Sequence, residues 1–136
     1  MENDSILIKS SDNSAEFQFS EREGLLRSDG SEYYIITLKT ENMTASSKVY
    51  AFDPLDNSCS RYFADLAENW RGWNGVKQWN SLEGDFKISS ESDSLGHITM
   101  EISLESYGNW KARVTTVFDS GQLDEISSKI KTFFTK

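Results

Sequence analysis

Residues 97–118 read HITMEISLESYGNWKARVTTVF, and this stretch decides the fold class. Ile98, Met100, Ile102 and Leu104 fall on alternate positions, and so do Trp110, Ala112, Val114, Thr116 and Phe118. Successive side chains of a strand point to opposite faces, so a period of two marks two strands that each have one face to bury. The link Tyr107-Gly108-Asn109 is so short that the strands must be antiparallel neighbours. The period then changes. Asp119 and Gln122, three apart, resemble a capping box. Leu123, Ile126, Ile130, Phe133 and Phe134 recur at helical spacing, which predicts a helix over about 122–134. Lys129, Lys131 and Lys136 sit near its C-terminal end, where the helix dipole favours cations.

Working upstream, Phe86–Glu91 reads as a third strand of the same meander, joined through Asp93-Ser94-Leu95-Gly96. In the N-terminal half, strands are predicted at Ile6–Ile8, Ala15–Phe19, Tyr33–Thr40 and Met43–Phe52, with Glu41-Asn42 as a tight hairpin. Residues 20–32 are polar, and Gly24 and Asp29-Gly30 signal a turn. Pro54 stops the fourth strand, and Asp56-Asn57-Ser58 supplies helix N-caps. A helix then runs to about Arg71. Tyr62, Phe63, Leu66, Ala67 and Trp70 form one stripe on it, and Gly72 ends it. Residues 73–84 read as irregular, with room for one short strand. The expected architecture is a single α+β domain over residues 1–136. It has one antiparallel sheet of seven or eight strands and two helices packed on one face. Phe52-Asp53 and Phe118-Asp119 each precede a helix, which suggests a duplicated ββββα unit. α+β domains also commonly place a helix after a meander.

The chain has 136 residues, 37% of them hydrophobic and 12% aromatic. That suits one domain whose core needs neither metal nor disulfide. Cys59 is the single cysteine, which fits a reducing compartment. The acidic start Met1-Glu2-Asn3-Asp4 lacks the basic and apolar regions of a signal peptide. No stretch approaches the roughly 20 apolar residues of a membrane span. A cytoplasmic location is expected. The net charge is −8, carried almost wholly by residues 1–68, which hold 13 acidic and 6 basic side chains. Such a surface repels nucleic acid and anionic membrane and favours a basic partner. Acidity also serves solubility alone.

Groups that carry chemistry are few. His97 is the only histidine, and the sequence names no group to orient it as a general base. Cys59 falls in the first turn of the first helix, where the dipole favours a thiolate, and Cys59 with His97 is the only nucleophile–base couple of that kind. One His and one Cys do not make a zinc site, and Asp53, Asp56 and Asn57 lack the spacing of a calcium loop. Gly72 and Gly75 match no phosphate-binding fingerprint. Glu101 and Glu105 share a strand face that reads as solvated. No cofactor and no metal are expected, and the balance leans away from an enzyme. The most specific feature is Trp70-Arg71-Gly72-Trp73-Asn74-Gly75 with Trp79. Trp70 reads as core. Trp73 and Trp79 either plug the end of the sheet or serve, beside Arg71, as anchors for a partner.

Trp70-Arg71-Gly72-Trp73, Trp79-Asn80-Ser81-Leu82-Glu83-Gly84, Leu95-Gly96-His97-Ile98 and Gly121-Gln122-Leu123 together resemble a family of small bacterial proteins known only as a domain of unknown function. The resemblance spans nearly the whole chain and implies no activity. In general style the chain is also similar to the immunity proteins of bacterial toxin systems, which are small, acidic, α+β and non-enzymatic. The expected role is a non-enzymatic protein that sequesters a protein partner, with Arg71, Trp73, Trp79, Glu83 and His97 as candidate contacts. The second expectation is a small-ligand binder or enzyme with a cleft near His97, Trp79 and Glu83.

Overall fold

The computed structural model describes residues 5–23, 32–51 and 58–135. The N-terminal half contains β1 (Ile6–Lys9), β2 (Glu16–Glu23), β3 (Tyr33–Thr40), β4 (Met43–Tyr50) and the helix α1 (Cys59–Glu68). The C-terminal half contains β5 (Val76–Asn80), β6 (Phe86–Ser92), β7 (His97–Ser106), β8 (Trp110–Asp119) and α2 (Leu123–Thr135). Each half is thus a four-stranded antiparallel meander followed by a helix. Gly24, Asp29, Gly30, Phe52, Asp53, Pro54, Asp56, Asn57 and Lys136 lie outside the described residues.

The strands form two sheets, ordered β1-β2-β3-β4 and β5-β6-β7-β8, and not the single sheet of seven or eight strands expected from sequence. Alternation identifies a strand with one apolar face but does not say which sheet that strand joins. Two half-apolar sheets each need a cover, and here they largely cover each other. Ile8, Phe17, Phe19, Tyr34, Ile36, Leu38 and Val49 line the first inner face. Trp79, Phe86, Ile88, Ile98, Met100, Ile102, Leu104, Val114 and Phe118 line the second. Together with Cys59, Tyr62, Phe63 and Leu66 of α1 and Leu123, Ile126, Ile130 and Phe133 of α2 they make one continuous core. The helices pack on each other and reach both sheets. Phe63 stacks on Phe17, and the Tyr62 hydroxyl is hydrogen-bonded with Ser90 Oγ at 2.7 Å.

Ser58 caps α1, its Oγ accepting from Arg61 N at 3.2 Å. The helix ends at Glu68 with Asn69 as its cap, earlier than the apolar stripe implies. Trp70 therefore leaves the core and is 50% exposed, which corrects its reading as a core residue. At the other end of the chain the expected capping box is present: the Asp119 side chain faces the Gln122 backbone N–H, and Gln122 Oε1 accepts from Asp119 N at 2.8 Å.

Two further devices tie the halves together. The turn after β1 docks on the outer edge of β8, where Ser11 N and Ser11 Oγ each donate to Val117 O at 2.8 Å. Val117 N donates to Ser10 Oγ at 2.9 Å, and Asn13 Nδ2 donates to Thr115 O at 3.1 Å. These bonds occupy backbone groups that a free edge strand would offer to another chain. In β2 a bulge between Ser20 and Glu23, with Glu21 at φ 51°, breaks the pairing register around Arg22. Arg22 pairs with Glu32 at 2.6 Å and donates to the Phe133 carbonyl at 2.6 Å, which holds the C-terminal turn of α2 against β2.

The ring of Phe19 is fully buried and meets Tyr34, Phe86, Phe133 and Phe134 at centroid distances of 5.7, 6.1, 5.8 and 5.8 Å. Phe19→Ala is expected to cost about 3–5 kcal/mol of unfolding free energy in urea titrations. Leu7→Ala, on the exposed side of β1, should cost less than about 1 kcal/mol. Equal costs would show that the rings are not the mechanical link between the sheets.

Candidate functional site

The connection between α1 and β5 lies against the turn between β6 and β7. Arg71, Gly72, Trp73 and Asn74 share a shallow depression with Ser92, Asp93 and Ser94. Gly72 sits at φ 120°, a conformation that L side chains rarely adopt, and a Cβ there would stand 3.1 Å from Ser92 Oγ, which would have to give way. Arg71 lies over the Trp70 ring, its guanidinium carbon 5.2 Å from the centroid. Trp73 is half-buried, with Nε1 donating to Ser90 O at 3.3 Å and Lys77 Nζ 5.9 Å from its ring centroid. Trp73 thus both fixes the connection and shows one side to solvent. Leu95, at the tip of the neighbouring turn, is 79% exposed, and Val76 at the start of β5 is also exposed. An apolar residue in an otherwise polar Asp-Ser-Leu-Gly turn was a signal that sequence reading passed over.

Of the five candidate contacts, this end of the second sheet gathers Arg71, Trp73 and His97. Trp79 is only 6% exposed and faces inward, its ring 5.3 Å from that of Phe86. Glu83 lies in the turn between β5 and β6, at the opposite end of β6 from His97. Seven strand residues separate those ends, roughly 20 Å, so His97 and Glu83 share no cleft. The Glu83 end has its own apolar surface in Leu82, Tyr107 and Trp110, and the Tyr107 hydroxyl donates to the Glu83 carbonyl.

His97 Nδ1 lies 3.0 Å from Asp93 Oδ2, and both side chains are about half exposed. Asp93 Oδ1 also accepts from His97 N at 2.9 Å and Leu95 N at 2.8 Å. The pair organises a turn at the surface and sits in no enclosed cavity. The His97 backbone N–H, then the Leu95 N–H and the His97 ring, hold the Asp93 carboxyl below its ordinary range. Cys59 is buried, and burial pushes its thiol up, which opposes the activation expected from the helix dipole. Among the described residues no three His, Cys, Asp or Glu side chains cluster in a way that would hold a metal ion. Nor is any described helix long and apolar enough to cross a membrane.

Fold and surface together define a two-sheet α+β protein with an aromatic, arginine-bearing patch at one sheet end. The chain belongs to a family of unknown function, DUF6228, whose model matches residues 8–136. No curated protein matches the sequence. Among solved structures the chain is similar in fold to the plant transcriptional regulator PBF-2, with a TM-score of 0.51 and 8% identity over 98% of this chain and 81% of that one.

The lowered Asp93 carboxyl contributes stability that is present above its unfolded pKa of about 3.9 and is lost as pH falls below it. Asp93→Asn keeps an oxygen for the two turn N–H groups but removes the charge. Urea midpoints measured from pH 7 to pH 3 should fall less steeply on the acid side in the variant than in the wild type. Parallel curves would show that Asp93 is not linked to folding.

Proposed function

We propose that this chain is a non-enzymatic binding protein that holds a protein partner at the 70–74 connection and the neighbouring 93–97 turn. The observation that carries the reading is the Trp70 indole, half exposed with Arg71 stacked on it, where Arg71 and Trp73 share a depression with Asp93 and Ser94 of the turn that carries Leu95 and leads to His97. Tryptophan and arginine are the residues most enriched where truncation costs an interface most. Trp70 and Leu95 serve as apolar anchors. Arg71 and His97 supply directional bonds at the rim, while Trp79 acts from within by supporting the sheet.

The net charge of −8 favours a partner with a basic surface. The finer form of the proposal is an immunity-type protein that sequesters a basic toxin domain in the bacterial cytoplasm. The fold likeness to a transcriptional regulator raises nucleic acid as another partner. The acidic balance disfavours it, because phosphate binding draws on an excess of lysine and arginine.

The test uses tagged wild-type protein and a Trp70→Ala/Arg71→Ala/Leu95→Ser variant as baits in an extract of the source cell. Proteins retained by the wild type are purified and titrated against each bait. The expected result is a single basic partner whose Kd rises at least roughly thirtyfold with Trp70→Ala alone. Its association should also slow as salt is raised. A partner bound equally by wild type and variant would overturn the assignment of this surface.

A further inference from the structure

A cavity of about 330 Å³ opens on the other side of the core, between the end of β4, the start of α1 and the end of β5. Its wall includes the rings of Tyr34, Tyr50, Trp79 and Phe134 and the thiol of Cys59. The volume is about twice that of a cavity that holds benzene and falls at the small end of the range of natural ligand sites.

Tyr34 marks the site. It is 2% exposed, and its ring is gripped on several sides by Phe19, Phe86, Phe133 and Phe134. Among the described residues every fully enclosed side-chain N or O atom has a hydrogen-bond partner. The Tyr34 hydroxyl makes no hydrogen bond to another described residue, so it is not fully enclosed, and Tyr34 lines the cavity. A hydroxyl that borders a cavity and bonds to no protein group has its proton free to donate to a molecule bound there. Burial, then the nearby Cys59, Asp85 and Glu32, raise its pKa well above the ordinary value, so it stays protonated and donates. Two other polar groups nearby are already engaged. Ser81 Oγ donates to Asp85 at 2.7 Å, and Glu32 pairs with Arg22.

We propose that this cavity is a binding site for a small, uncharged aromatic molecule that presents one hydrogen-bond acceptor to Tyr34. The surrounding rings supply stacking and edge contacts. The carboxylates of Glu32 and Asp85 disfavour anions. The site is separate from the partner surface, and either can exist without the other.

Quinoline, uncharged at neutral pH and with one ring nitrogen as acceptor, is the probe. Titrated into labelled protein, it should shift the amide and side-chain resonances of Tyr34, Cys59, Trp79 and Ser81 saturably and leave Trp70 and Leu95 unmoved. Quinoline-2-carboxylate should shift none of them. Tyr34→Phe keeps the ring and removes the donor, and should weaken quinoline binding roughly tenfold. Ala51→Leu, which fills the cavity from its rim, should abolish binding, and it decides the matter if Tyr34→Phe does not fold. No saturable shift at millimolar quinoline, shifts confined to other residues, or undiminished binding by either folded variant would overturn the proposal.

Discussion

Phe17 and Phe19 sit two positions apart on β2 and point to the same side. Phe17 stacks on Phe63 of α1 and meets Phe118 of β8 edge-on, while Phe19 meets Phe86 of β6 and Phe133 and Phe134 of α2. One dipeptide step along one strand thus touches both helices and two strands of the opposite sheet. A buried aromatic side chain removes about 150–250 Å² from water, worth up to roughly 4–6 kcal/mol at 25 cal/mol per Å². An exposed ion pair such as Lys77 with Asp65, at 3.0 Å, is worth at most about 1 kcal/mol. The rings decide how the sheets meet, and the surface charges adjust what is already fixed.

A second constraint follows from splitting eight strands into two meanders. A closed barrel has no edges, but two open sheets have four. The edge of β8 is occupied at residues 115–117 by Ser10, Ser11 and Asn13. Part of the β5 edge is engaged by α1, whose Tyr62 donates to Lys77 O at 3.0 Å and whose Asp65 pairs with Lys77. The N-terminal hairpin is therefore part of the C-terminal sheet's protection. Its Ser-Ser-Asp-Asn composition suits that job, since short hydroxyl and amide side chains stand in for backbone partners.

Much of this was legible in the sequence. Ile98, Met100, Ile102 and Leu104 alternate without exception, and the strand they specify is the longest in its sheet along with β8. The division into two sheets was not legible, because period two records that a face is buried but not against what. The 70–79 region shows the same limit at the level of single residues. Trp70 continues the helical stripe of Tyr62, Phe63 and Leu66, yet the helix stops at Glu68, so the ring falls outside. Trp79 lies in a segment that reads as irregular, yet its pairing with Ile88 puts it on the inner face. Where a helix ends by an Asn69 cap, periodicity alone overshoots. Likewise, Val76 and Trp79 stand three positions apart and fall on opposite faces of β5, so that strand shows no alternation to be read.

The opposite fates of these two tryptophans separate two kinds of work on one short segment. Trp79 is held by parity in a strand, and replacing it would damage the core around Phe86. Trp70 contributes little to that core, so a half-exposed indole there carries a hydration cost that folding does not recover. Arg71 covers one ring face and offsets part of that cost without removing the ring from reach of solvent. An arrangement that keeps a large apolar ring exposed, flat and pre-positioned reduces the ordering cost of an encounter with another surface. The core rings and the patch rings are drawn from the same residue types. Strand parity and helix length, set by a few residues between positions 68 and 80, sort them into structure and recognition.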